Sequence, residues 1–191
     1  LFLEEMRRRG YIGAVGVSTH YSGCVQAAPR FSQIRVIHPL INIDGIGIQD
    51  GTRTDMEAAI AHAREFGIGI FAMKPLGGGH LIQRSVEAMR YALTSPLIDS
   101  VAVGMQSIEE IDANVALVEG LEGAEAQMQK LHGQRRHVMV HDYCEGCGRC
   151  AARCGQGAIS IVNGRAQVDS EKCVFCGYCA RVCPQFCIKV V

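Results

Sequence analysis

The sequence predicts an α/β protein with a second, smaller domain at its C-terminal end. Apolar strand-like runs alternate with amphipathic helical patterns up to about residue 120, an order typical of βαβ units and a parallel sheet. Nine of the ten cysteines lie between Cys144 and Cys187, which indicates a separate cysteine-rich module. We therefore expect one domain over residues 1–120, a helix and linker over residues 121–137, and the module over residues 138–191.

The predicted elements of the first domain follow one another without long gaps. The strands are predicted at residues 11–17, 34–38, 68–73 and 100–103. The helices are predicted at residues 1–9, 21–32, 55–66, 85–95 and 107–118. Thr54 is the expected N-cap of the third helix, and Gly67 is expected to close it. Ser107 opens S-I-E-E, the pattern of a capping box, for the last helix.

The bulk composition excludes several classes of protein. Basic and acidic side chains balance at 19 each, which argues against nucleic acid as the main partner. No apolar run approaches the roughly 20 residues of a membrane span, and no basic-then-apolar signal peptide opens the chain. Since thiols at metal-ligand spacing need a reducing compartment, we expect a cytoplasmic protein. The chain opens inside a helical pattern at Leu1, which suggests a fragment without its natural N-terminus.

Two runs of cysteines share one spacing. The first is Cys144-x2-Cys147-x2-Cys150-x3-Cys154, and the second is Cys173-x2-Cys176-x2-Cys179-x3-Cys183. This spacing resembles that of bacterial two-cluster ferredoxins. The resemblance implies two [4Fe-4S] clusters with crossed ligand sets. One cluster takes Cys144, Cys147, Cys150 and Cys183, and the other takes Cys173, Cys176, Cys179 and Cys154.

Zinc and disulfides are the alternatives for these cysteines. Zinc sites usually take four ligands as two pairs, whereas a triplet plus a fourth cysteine occurs twice here. Asn163-Gly164 between two strand-like runs predicts a β-hairpin that separates the cysteine runs. Gly155 stands where the resembled family usually has proline, so a changed turn is an open question. Cys187 is surplus, and we interpret it as a small buried residue rather than a ligand.

Three motifs follow in order along the first domain. They are GYIGAVGVSTH at residues 10–20, FAMKPLGGG at residues 71–79, and VGMQS at residues 103–107 with EEI and an asparagine after it. Together they resemble the second half of an aldo/keto reductase barrel. The implied fold is the second half of a (β/α)8 barrel, followed by a small α+β ferredoxin-like domain with two clusters. The motifs then lie at the C-terminal ends of strands, where such barrels keep their active sites.

The same resemblance implies a site for NADH or NADPH. The implied contacts are Ser18, Thr19, His38, Leu76, Gly77, Gly78, Gly79, Gly104, Gln106 and Asn114. The neutral Gln106 stands near the place where the family often supplies a basic residue for a 2′-phosphate, so a preference for NADPH is not supported. The family's catalytic residues lie on its first four strands, and we assign none to this chain.

The leading hypothesis is therefore an oxidoreductase that acts on a small carbonyl-type substrate and exchanges electrons with a redox partner protein or a small carrier. The alternative is a non-catalytic relay or binding module whose barrel has lost its nicotinamide cofactor. In a third hypothesis the clusters are purely structural.

Overall fold

The computed structural model describes residues 2–105, 107–132 and 137–190. The chain divides into two compact units, of which the first comprises Leu1–Gly77 and Leu81–His132 and the second comprises Gly78–His80 and Gly133–Val191. No helix in the described ranges is both long enough and apolar enough to cross a bilayer.

A four-stranded parallel sheet forms the centre of the first unit. Its strands are β1 (Val15–Thr19), β2 (Ile34–Pro39), β3 (Gly69–Met73) and β4 (Ser100–Ala102), and their order in the sheet is their order in the chain. The predicted parallel sheet is thus confirmed. Strand β1 starts four residues later than predicted because Gly10 and Tyr11 close the preceding helix instead, through hydrogen bonds to the carbonyls of Arg7 and Met6.

Six helices belong to this unit, counted over its described residues. They are α1 (Phe2–Arg8), α2 (Ser22–Ala27), α3 (Arg53–Glu65), α4 (Ser85–Thr94), α5 (Ile108–Val118) and α6 (Ala124–His132). The prediction of one helix over residues 21–32 is wrong, since α2 ends at Ala27 and a 3₁₀ turn over Ala28–Arg30 follows. Pro29 explains the break because proline has no N–H to continue an α-helix.

Helix α3 corrects a second prediction. Its N-cap is Thr52 rather than Thr54: the Thr52 hydroxyl accepts from the Asp55 N–H, and the Asp55 carboxylate accepts from the Thr52 N–H at 2.7 Å. This is a capping box, displaced by two residues from the expected start. Gly67 closes the helix as predicted, with φ +70° and a Schellman pair of hydrogen bonds.

The core of the first unit lies between the sheet and its helices. Ile37 and Ile70 project from β2 and β3 and are almost fully buried against Met56 and Ile60 of α3. Side chains alternate along a strand, so the opposite face of the sheet carries Ser18, His38 and Phe71. This face is more open, and Phe71 is 39% exposed.

Over its described residues, the second unit consists of two small antiparallel sheets and two short helices. Strand β5 (Val138–Val140) pairs with β8 (Ile188–Val190), and β6 (Ile159–Val162) pairs with β7 (Arg165–Val168). The short helices are α7 (Arg149–Arg153) and α8 (Tyr178–Arg181). The predicted β6–β7 hairpin is confirmed, and its turn residues Asn163 and Gly164 both have positive φ, as a type I′ turn requires. The β5–β8 pair is a finding that the sequence did not predict.

Candidate metal centre

The two cysteine runs fold into loops with the same backbone. The residue before the second cysteine has positive φ in both, 65° at Gly146 and 52° at Phe175. The residue after it is a left-handed glycine in both, Gly148 at 77° and Gly177 at 75°. A short helix then begins at the next residue, which buries the third cysteine of each run. The repeat seen in the sequence is therefore a repeat of backbone conformation.

The fourth cysteine of each run starts a matching turn. The N–H of Gly157 donates to the Cys154 carbonyl at 3.1 Å, and the N–H of Phe186 donates to the Cys183 carbonyl at 3.2 Å. The open question about Gly155 is answered, because the turn forms equally with Gly155 in one half and Pro184 in the other. Proline suits this second position of a turn, and glycine tolerates it.

Three thiols of the first run lie near one another. Burial raises the pKa of the Cys150 thiol, and the negative charges of Cys144 and Cys147 raise it further. The N–H groups of Ala166 and Gly146 instead hold the pKa of Cys144 below its usual value, because they stabilise the thiolate. Ala166 lies on β7, so the hairpin helps to hold the first loop.

The fourth member of this group comes from the second run. The Sγ atom of Cys183 lies 3.3 Å from the Sγ atom of Cys187. The Cys144 thiol is also a neighbour of Cys187, since it contributes to the raised pKa of that residue. Cys183 and Cys144 therefore share Cys187 as a neighbour, although almost 40 residues of chain separate them.

A second group of four thiols has the reverse composition. Burial raises the pKa of Cys173, and the charges of Cys176 and Cys154 contribute to the increase. Burial likewise raises the pKa of Cys179, with contributions from Cys176 and Cys173. Here Cys154 of the first run stands among the three thiols of the second.

Backbone N–H groups point at the sulfurs of this second group. The Phe175 N–H donates to the Cys173 Sγ, and the Ala158 N–H donates to the Cys154 Sγ, both at 3.4 Å. Such donors favour the thiolate, which is the form that binds iron. The donor set, eight thiols in two groups with amide support, suits clusters in which each iron has its own thiolate.

Cys187 is the member of the module whose contacts the sequence did not predict. It is 1% exposed, which confirms the interpretation as a small buried residue. Burial, together with hydrogen bonds to Cys183 and Cys144, raises its pKa to about 12. Its proximity to two predicted ligands depends on the β5–β8 pair and has no local signal in the sequence.

Disulfides and zinc are the alternatives to iron–sulfur clusters for these cysteines. All ten cysteines are free thiols. Within the described parts of the chain, no three His, Cys, Asp or Glu side chains are placed to hold a single metal ion. The ligands of a single metal ion surround one atom, whereas the four thiolates of a four-iron cluster each bind a different iron.

The predicted nicotinamide contacts lie in several places. Ser18 and His38 are register partners on neighbouring strands and share the open face of the sheet. The His38 ring stacks on Phe71 with 4.4 Å between centroids, and its Nδ1 contacts the Phe71 carbonyl. Thr19 is buried, and its hydroxyl accepts from the Tyr21 N–H at 3.0 Å. The structure thus brings Ser18 and His38 together, and it gives Thr19 a structural contact.

The remaining predicted contacts follow β3 and β4. Leu76 and Gly77 form the turn after β3, while Gly78 and Gly79 belong to the second unit; all three glycines have positive φ. Gly104 follows β4. Asn114 on α5 donates to the Glu110 carbonyl at 2.6 Å, and its Oδ1 is buried without a partner in the described residues. Gln106 lies outside the described residues.

Lys74 and His20 form a pair that the motifs did not single out as a site. They follow β3 and β1, and the Lys74 Nζ lies 3.2 Å from the His20 Nε2. Burial lowers the pKa of His20, and the Lys74 charge lowers it further. Lys74 has φ +57°, a strained conformation for a residue with a Cβ. This strain is held by a backbone hydrogen bond from Gly77 to the Lys74 carbonyl at 2.9 Å.

Comparison with known proteins concerns the second unit. Residues 137–184 match the family described as the 4Fe-4S dicluster domain. No curated protein matches the chain. The match covers both cysteine runs and the hairpin between them, and with the ten cysteines it indicates 4Fe-4S clusters. The C-terminal part of this α/β chain is therefore similar to ferredoxin-type iron–sulfur domains, which supports a role in electron transfer.

Proposed function

We propose that this chain is an iron–sulfur oxidoreductase whose second unit holds two [4Fe-4S] clusters for electron transfer. The observation that carries the proposal is the crossed grouping of thiols, three from one run and the fourth from the other. Cys144, Cys147, Cys150 and Cys183 hold one cluster. Cys173, Cys176, Cys179 and Cys154 hold the other. When bound, each cluster supplies a centre that gains or loses a single electron.

The protein's own groups prepare the two sites. The folded loops present the thiols in groups, and backbone N–H groups stabilise them as thiolates. The second cysteine of each run, Cys147 or Cys176, is exposed. The rate of electron transfer falls with distance, and a buried ligand would keep a partner further from the cluster. A redox partner protein or a small electron carrier therefore approaches at these exposed cysteines.

The proposal is tested by iron and acid-labile sulfide analysis of the full chain, purified anaerobically. We expect about eight irons and eight sulfides per chain, and a spectroscopic signal that changes on reduction with dithionite. Colourless protein without iron contradicts the proposal. Clusters that accept no electrons from dithionite support a structural role instead.

Paired substitutions test the crossed ligand sets. Cys150→Ser together with Cys183→Ser removes two ligands of the same cluster, so about half of the iron remains. Cys150→Ser together with Cys154→Ser removes one ligand from each cluster, and far less iron remains. Cys24→Ser is the matched control, since Cys24 lies in the first unit and outside both groups. Equal losses from the two double variants contradict the crossed assignment.

A second candidate function concerns the first unit. Its four parallel strands keep their chain order across the sheet, as consecutive strands of a (β/α)8 barrel do, whereas doubly wound sheets reverse direction at a switch point. This strand order supports a half-barrel of the (β/α)8 type, and the resemblance of the three motifs makes the aldo/keto reductase type our specific proposal. We propose that Ser18 and His38 on its open face contact a nicotinamide cofactor used on a carbonyl-type substrate.

Fluorescence titration of the full chain with NADH and with NADPH tests this candidate. Saturable binding that weakens in Ser18→Ala and His38→Ala, but not in the control Ser32→Ala, supports it, since Ser32 is exposed in the loop before β2. If neither nucleotide binds, the alternative of a relay module without a nicotinamide cofactor is favoured.

A further inference from the structure

The two halves of the cysteine module differ at one buried position. Cys187 lies four residues after Cys183, and Ala158 lies four residues after Cys154. Each is followed by an isoleucine that begins a strand. Cys187 is 1% exposed, and Ala158 is 2% exposed. Cys187 and Ala158 therefore occupy equivalent places in the repeat, but only one of them carries a polar hydrogen in its side chain.

The contacts at these two places differ accordingly. The Cys187 Sγ lies 3.3 Å from the Cys183 Sγ, and the Cys144 thiol is close enough to contribute to the raised pKa of Cys187. Both of these neighbours are proposed ligands of the same cluster. On the other side, Ala158 offers the Cys154 Sγ only its backbone N–H, at 3.4 Å. One cluster site thus has a side-chain donor that the other site lacks.

We infer that Cys187 is a hydrogen-bond donor to the ligands of one cluster and makes that cluster the easier of the two to reduce. This inference rests on the proposed two-cluster function. Once Cys183 and Cys144 bind iron as thiolates, they can only accept hydrogen bonds. Cys187 is then the one of these three residues that can carry a hydrogen on its sulfur, so it is the donor.

The direction of the effect follows from charge. Reduction adds an electron to the cluster, and part of the added negative charge resides on the ligand sulfurs. A donor at those sulfurs stabilises the reduced form more than the oxidised form, which raises the reduction potential. The cluster held by Cys144, Cys147, Cys150 and Cys183 is therefore reduced first, and the cluster beside Ala158 is reduced second.

Two reciprocal substitutions test this assignment in the full chain. Cys187→Ala removes the donor, and Ala158→Cys installs one at the equivalent place beside the other cluster. Potentiometric titration followed by electron paramagnetic resonance gives both potentials. We expect each variant to reduce the difference between the two reduction potentials. Cys187→Ala should lower the higher potential, and Ala158→Cys should raise the lower one. A tenfold change in the ratio of reduced to oxidised cluster corresponds to 59 mV for one electron. We expect the potential of the altered cluster to shift by about this amount.

Cys187→Ser is the matched control, because its hydroxyl keeps a donor at the same place. The difference between the two reduction potentials should largely persist in this variant. Iron and sulfide analysis accompanies every variant. Unchanged potentials in Cys187→Ala with full iron content overturn the inference. Loss of a cluster's iron in Cys187→Ala also overturns it, because Cys187 would then be a ligand. Wild-type protein without iron is a different outcome, and it refutes the proposed function itself.

Discussion

Replacing Gly146 by alanine tests how closely the first cysteine loop must approach the hairpin turn. Gly146 lies between Cys144 and Cys147 with φ 65°. A Cβ atom at this position would stand 2.3 Å from the carbonyl oxygen of Gly164 and 2.6 Å from its carbonyl carbon. Both are backbone atoms, so no side chain can rotate away. The loop and the turn must separate by about 1 Å to regain van der Waals contact.

The expected loss of folding stability in Gly146→Ala has two parts. An alanine in the left-handed conformation costs about 1–2 kcal/mol, and forced overpacking adds about 1–3 kcal/mol. Gly148 provides a matched control in the same loop, since its φ is 77° and a Cβ there would meet nothing within 4 Å. Gly148→Ala should show only the cost of the left-handed conformation. The expected difference between the two variants is therefore the overpacking cost of about 1–3 kcal/mol.

The assay is thermal unfolding of the anaerobically purified full chain, followed by loss of the visible absorbance of the clusters. For a unit of this size, 1 kcal/mol shifts the midpoint by roughly 4–8 °C. We expect Gly146→Ala to lose its absorbance at least about 4 °C below Gly148→Ala and to retain less iron after purification. Equal midpoints for the two variants would refute the reasoning, because they would mean that the loop does not depend on its contact with Gly164.

Three further predictions concern the first unit. Thr52→Ala should lower the free energy of unfolding by about 1 kcal/mol through loss of the N-cap, and Thr54→Ala should lower it far less, as measured by urea unfolding. Ile60→Ala should lower it by about 2–5 kcal/mol in the same assay, because Ile60 is 0% exposed and its removal leaves a cavity. Hydrogen bonding to Arg64 holds the pKa of Asp99 below its unfolded value, so this contribution to stability is complete above about pH 4 and is lost as the pH falls through the lower folded pKa. Asp99→Asn should therefore flatten the acid side of a plot of melting temperature against pH.

Local signals in the sequence were sufficient for some elements and ambiguous for others. The start of α3 shows the limit, because Thr52 and Thr54 each precede an acidic residue by three positions. Tertiary contacts decide between them. With the helix starting at Arg53, the Arg53 Nη1 donates to the Ile43 carbonyl at 2.7 Å, and Glu57 accepts from the Tyr91 hydroxyl at 2.6 Å. Both partners are at least ten residues away, so no local pattern can reveal them.

The same reasoning explains what was and was not predicted in the second unit. The β6–β7 hairpin depends on a two-residue turn, whose signal is local. Strands β5 and β8 have only three residues each and join the two ends of the module. Their pairing delivers Cys187 to its place, with the His141 N–H donating to the Cys187 carbonyl at 2.8 Å. The expected grouping of the cysteines is what the resemblance to two-cluster ferredoxins implies, whereas the surroundings of their sulfurs required the fold.

The two halves of the module share a backbone conformation but differ in their side chains. Equivalent positions share their φ values although they carry Gly146 in one half and Phe175 in the other. Equivalent turns form with Gly155 and with Pro184. The requirement at these positions is therefore for a backbone conformation that aims thiols and N–H groups inwards, and different residues meet it. Because the backbone is already provided, a side chain such as Cys187 can alter the surroundings of one group of thiols without disturbing the other. Under the proposed two-cluster function, two halves with one fold can thus hold centres of unequal potential.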